Sequence, residues 1–160
     1  MTEREQEVIW AAGFFDGEGC VSIAKPRKGM PWRYELRLFV AQVKLQPLLV
    51  FERLWGGTVA AYNRKSQEHI HQWQTSARQA AKALEEMLPF LQVKTEQAQV
   101  GLALQALMGR EPHVSETMIA IREDLYQEMR RLNIRRPRPK SSTSHQTSSR
   151  GQSTELRLVS

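Results

Sequence analysis

Two carboxylates, Asp16 and Glu18, stand on either side of Gly17 and ahead of Gly19, where the run Trp10-Ala11-Ala12-Gly13-Phe14-Phe15 ends. Acids in a glycine-flanked turn offer the oxygen donors that a hard divalent cation requires. Mg²⁺ in particular is held by one or two carboxylates, its other positions going to water or phosphate. Glu18 is expected to leave the helix, point outward and bind such an ion beside Gly17; Mn²⁺ or Ca²⁺ would suit the same oxygens. The element that positions these acids has no polar residue from Val8 to Phe15. A helix of that composition is apolar all round and must be covered on every side. Gly13 and Gly17 fall one turn apart on one face, where the missing Cβ lets a second backbone come close. With Ala12 and Asp16 they form the expected contact between two copies of the helix. Both acids sit at the negative end of the helix dipole, which disfavours them by ~0.3–1 kcal/mol each, so a cation is expected to offset them. Gly19 is expected to take the left-handed cap conformation.

Ala11 to Gly19 resembles the LAGLIDADG signature of homing endonucleases, with Phe14-Phe15 for Leu-Ile and Glu18 for the second acid. The resemblance spans roughly residues 8–108 and implies an α+β fold of order αββαββα, its antiparallel strands forming a saddle on DNA. It further implies an intron-encoded enzyme making Mg²⁺-dependent, staggered double-strand breaks in a long, pseudo-palindromic target. Glu18, Gln42 and Lys94 match its catalytic positions: the glutamine orders water near the metals, and the lysine lies near the cleaved phosphate. Where some relatives carry a basic residue after that glutamine, this chain has Gln46, so the outer water network is expected to differ.

Cutting two strands takes two acid sites, and the chain holds one such motif; Leu104 to Glu111 lacks the paired acids. A homodimer with double-stranded DNA as partner is the expectation, without a small-molecule substrate. The alternative is a module of the same fold that binds DNA for regulation, or RNA as a maturase, without cutting.

Charge is unevenly spread. Of the formal +6, residues 134–160 carry six cations against Glu155. That stretch, basic and rich in Ser and Thr, cannot bury apolar surface and is expected to be a flexible tail behind a single domain over 1–133. Within the domain, Lys25, Arg27, Lys28, Arg33 and Arg37 cluster against Glu35, as a phosphate-tracking surface requires. One cysteine, Cys20, excludes a disulfide framework, and no apolar run is long enough to span a membrane. The acidic start Glu3, Glu5, Glu7 lacks the marks of a targeting signal, so action in the compartment of synthesis is expected, an organelle or a bacterial cytoplasm.

In chain order, Thr2 caps the motif helix, and Cys20 to Lys25 alternates as a strand with Val21 and Ile23 inward and Ser22 and Ala24 outward. Pro26 to Pro31 is a turn, and Trp32 to Val43 a second strand with Arg33, Glu35 and Arg37 on its polar face. A helix over Leu45 to Trp55 stops at Gly56-Gly57. Thr58 to Arg64 and His69 to Thr75 form a second hairpin about Lys65. There Tyr62, Arg64, Lys65, Ile70, Gln72 and Gln74 are expected at DNA if Trp73 is in the core; a slip by one residue would turn His69 and His71 outward instead. His69 and His71 lack a nearby third ligand and read as polar surface rather than zinc donors. Helices from Ser76, from Thr95 as cap, and from Ser115 to Leu132 complete the chain.

Overall fold

The computed structural model describes residues 1–62, 69–109 and 113–134. Among these residues five α-helices pack on one four-stranded antiparallel sheet. The motif helix α1 (Glu3–Glu18) opens with a capping box: Thr2 Oγ1 accepts from Glu5 N (3.1 Å), and Thr2 N donates to the Glu5 carboxylate (2.6 Å). Strands β1 (Gly19–Ala24) and β2 (Glu35–Gln42) follow, then α2 (Gln46–Trp55), β3 (Thr58–Tyr62) and β4 (Ile70–Ser76). Helix α3 (Ala77–Met87), a 3-10 turn (Leu88–Phe90), α4 (Thr95–Ala106) and α5 (Glu116–Asn133) complete the order. The sheet runs β1-β2-β4-β3, so the two hairpins meet at the β2–β4 seam.

Alternation decides which side of the sheet is dry. Val21, Ile23, Leu36, Leu38, Val40, Trp73 and Thr75 are buried beneath the helices, where the Phe51 ring packs tilted against Trp73 with centroids 5.0 Å apart. The burial of Trp73 settles the register of β4 in favour of Gln72 and Gln74 outward. The second strand begins later than its alternation predicts. Turn hydrogen bonds from Met30 N to Arg27 O, Arg33 N to Met30 O and Tyr34 N to Trp32 O use up the backbone before Glu35, so Arg33 lies in the turn. Thr95 is the first helical residue of α4 rather than its cap; Lys94 is the cap, and the Thr95 hydroxyl donates to Leu91 O at 3.0 Å.

Gly19 is also not what its type predicts. Its φ of −79° is ordinary extended backbone. Glycine is needed there because a Cβ would overlap the ring of Phe15, whose side chain is fully buried. Gly56 and Gly57, at φ 70° and 89°, do stop α2 through left-handed backbone.

Helix α5 braces the sheet from outside the repeated order. Arg122, 4% exposed, donates from one guanidinium nitrogen to Trp32 O (2.8 Å) and from another to Leu107 O (2.7 Å). Leu107 ends α4, where the helix dipole welcomes a cation. Asn133, at the other end of α5, donates to Val21 O on β1 at 2.8 Å.

Replacing Gly19 with Ala should destabilise the fold by about 1–3 kcal/mol through the clash with Phe15. Ala77, at φ +50°, holds an L-residue in left-handed backbone, so Ala77→Gly should stabilise it by about 1 kcal/mol. Urea unfolding of the two variants should give midpoint shifts of opposite sign.

Candidate active site and nucleic-acid interface

The motif helix is fastened at its acidic end. Asp16 accepts two backbone hydrogen bonds, from Gln92 N at 2.6 Å and Lys94 N at 3.0 Å, and the Lys94 ammonium donates to the Asp16 carbonyl oxygen. A carboxylate and an ammonium are thereby exchanged across the junction of α1 and the segment entering α4. Lys94 is the cation that the helix dipole calls for. Asp16, expected at the contact between two helices, has both carboxylate oxygens engaged within its own chain. Glu18, two residues on, is exposed at the last position of α1 and makes no such bond among the described residues.

Gln42 reaches the same end of the sheet by register. Gly19 lies opposite Val40, so the strand position facing Glu18 is one residue from Gln42. The Gln42 side chain accepts from Val43 N at 3.0 Å, while His71 Nδ1 lies 3.1 Å from Val43 O. A carbonyl can only accept, so Nδ1 carries the proton. The register pairs His71 with Gln42. Glu18, Gln42 and Lys94 are thus gathered at one corner, where the end of α1 meets the start of α4 and the end of β2.

The outer face of the sheet is ordered in rows across the strands. Ala24 faces Glu35; Ser22, Arg37 and Ser76 form the next row, then Cys20, Phe39, Gln74 and Thr58, then Ala41, Gln72 and Ala60, and finally Ile70, whose register partner is Tyr62. Phe39 and Ala41 were not singled out from the sequence, although the alternation through Glu35 and Arg37 places them on this face. At one end of these rows a groove of about 400 Å³ is lined by Lys25, Arg27, Lys28, Arg33, Glu35 and Arg37. Two of its cations meet carboxylates: Arg37 pairs with Glu35 at 2.6 Å, and Lys25 lies 3.5 Å from Glu123 and over the Tyr126 ring. Arg64 and Lys65 lie outside the described residues, as does the tail over 135–160.

The motif helix also has an open face. A Cβ built on Gly13 or Gly17 meets nothing within 4 Å, and beside them Trp10 is 45% and Ile9 39% exposed. Ala12, expected in the same contact, is turned the other way. It is fully buried in the chain's own core with Val8, Ala11 and Phe15, because 100° per residue carries it away from the Gly13 face. Among the described residues no three His, Cys, Asp or Glu side chains form a metal-binding group, and no helix is long and apolar enough to cross a membrane.

Solved structures share this architecture. The homing endonuclease I-CvuI, in complex with its target in the presence of 2 mM Ca, matches with a TM-score of 0.68 at 22% identity, over 85% of this chain and 87% of that one. The chain has the LAGLIDADG homing-endonuclease fold. The archaeal intron-encoded homing endonuclease I-Vdi141I, complexed with DNA, matches with a TM-score of 0.69 at 14% identity, over 85% of this chain and 89% of that one. I-SmaMI, bound to an uncleaved DNA target with calcium ions, matches with a TM-score of 0.60 at 17% identity, over 77% of this chain but only 45% of its own. No family model matches the sequence. No curated protein matches it either. The homing-endonuclease fold therefore stands on backbone similarity and on the α+β order itself.

One ionisable pair governs how α5 holds the basic turn. The Tyr34 hydroxyl donates to the Glu123 carboxylate. Burial first, then the bond to Glu123, pushes the phenol up to about 12, and the same bond, with one from Gln127, draws the carboxyl below its ordinary range. A phenol that keeps its proton more tightly when folded contributes stability that is full below about pH 10 and is lost between about 10 and 12. Tyr34→Phe should remove that alkaline loss, seen as a flatter stability curve over this range in pH-dependent urea unfolding.

Proposed function

We propose that the chain is a divalent-metal-dependent DNA endonuclease that acts as a homodimer on a long, nearly palindromic duplex. The gathering of Glu18, Gln42 and Lys94 at one corner, beside an open helix face, carries this reading. Glu18 and the main chain at Gly17 would hold Mg²⁺. With Asp16 turned inward, each chain offers one free carboxylate here, which suits an ion that keeps several waters and takes phosphate oxygens. When bound, Mg²⁺ supplies charge neutralisation at the phosphate and lowers the pKa of bound water. Gln42 orients a water for in-line attack. Lys94, whose ammonium keeps further N–H groups beyond its bond to Asp16, stabilises charge developing on the phosphate.

Pairing of two chains is supported by the bare Gly13 and Gly17 and by the half-length match to I-SmaMI, a chain with room for a second such unit. An isologous contact at these glycines would bring both Glu18 carboxylates to a two-fold axis and demand a target of matching symmetry. DNA in the I-CvuI and I-Vdi141I complexes supports the duplex as partner.

With a library of duplex sites and Mg²⁺, wild type should leave staggered ends. Glu18→Gln should cut at least about a hundredfold more slowly while binding persists. Equal behaviour of the two would leave a non-cleaving DNA-binding regulator or an RNA maturase. Because space is open at Gly13, Gly13→Phe should fold normally yet sediment as a monomer; an unchanged dimer would overturn the glycine contact.

A further inference from the structure

Phe39 stands among small and polar residues on the outer sheet face. Its register sets it outward between Cys20 and Gln74, in the third row from the basic turn, and it is only half-buried there. Gln74, exposed, stands directly opposite it across the β2–β4 seam at the middle of the sheet. Directly opposed residues hold their Cβ atoms about 4.5–5.5 Å apart, so ring and amide present themselves side by side.

A single base pair offers the complement. In the major groove an A·T pair displays adenine N7 as acceptor, the adenine N6 amino group as donor, and the thymine C5-methyl group. A glutamine amide donates to N7 and accepts from N6, and a phenyl ring covers the methyl. A G·C pair fails on both counts: guanine O6 meets the amide oxygen as a second acceptor, and cytosine has no methyl. Arg27, Lys28 and Arg33 at the neighbouring turn provide the positive charge that would draw a duplex onto this face.

We propose that Phe39 and Gln74 act as one specificity element that reads an A·T pair in each half of the DNA target, the ring on the thymine methyl and the amide on adenine. The inference rests on the duplex-binding dimer proposed above. It adds which residues select a base and which base they select.

The test is selection from randomised duplexes by the full chain, followed by binding to the enriched site with single-atom changes. Wild type should enrich one A·T pair per half-site, and deoxyuridine in place of that thymine should weaken binding about fourfold, the worth of one methyl group. Phe39→Ala should abolish the thymine-over-uracil difference and keep the preference for adenine over 7-deazaadenine. Gln74→Ala should do the reverse. Both variants should keep wild-type unfolding midpoints and salt-dependent binding to a non-specific duplex, which separates readout from folding. If either variant retains both discriminations, this inference is overturned while duplex reading stands. If wild type enriches no sequence at all, duplex reading falls, and this inference with it.

Discussion

The carboxylate of Asp16 holds together the corner where α1, α4 and β2 meet. It closes a loop of nearly eighty residues by accepting from the amides of Gln92 and Lys94, and the ammonium of Lys94 donates in turn to the Asp16 main-chain carbonyl. Charge-assisted bonds of this kind contribute about 1.5–3 kcal/mol each when partly shielded from water. Their main effect here is geometric. Without them, the end of α1 and the start of α4 would have no polar bond fixing one against the other, and Lys94 would have no reason to lie beside the acids. The motif's two carboxylates therefore divide their work: Asp16 faces the chain, and Glu18 is left for whatever arrives from outside.

A second brace lies at the far end of the sheet. Among the described residues Arg122 is a buried cation with no carboxylate partner and no partner for its Nε, satisfied by the carbonyls of Trp32 and Leu107. Burying charge this way is costly. The cost is offset by placing the guanidinium at the negative end of α4. Together with Tyr34 and Glu123 it fixes the ten-residue turn between β1 and β2, so the basic groove is held by a helix that belongs to neither hairpin.

The strands, their faces and the helix order were legible in the sequence because period-two and period-3.6 patterns report burial directly. Trp73 is the instructive case: two registers were open, and only its packing against Phe51 selects one. Gly19 was misread because glycine serves two needs, unusual φ and bare space, and a single sequence does not say which. Ala12 was misplaced for a related reason, since an all-apolar helix gives no hint of which face is covered from within. Asp16 looked like a contact residue because its partners, Gln92 and Lys94, are distant in sequence and donate largely through the backbone, which side-chain types do not reveal. Phe39 passed unnoticed because an aromatic in a strand is ordinarily core.

The bond from Asn133 to Val21 has a meaning beyond anchoring α5. Strand β1 ends the sheet on one side, and its outward carbonyls and amides form a template onto which a strange strand could add. By occupying the carbonyl of Val21, the terminal turn of α5 interrupts that template at its centre. A sheet whose last strand is left bare needs such a guard, since an unpaired edge invites other copies to pair edge to edge.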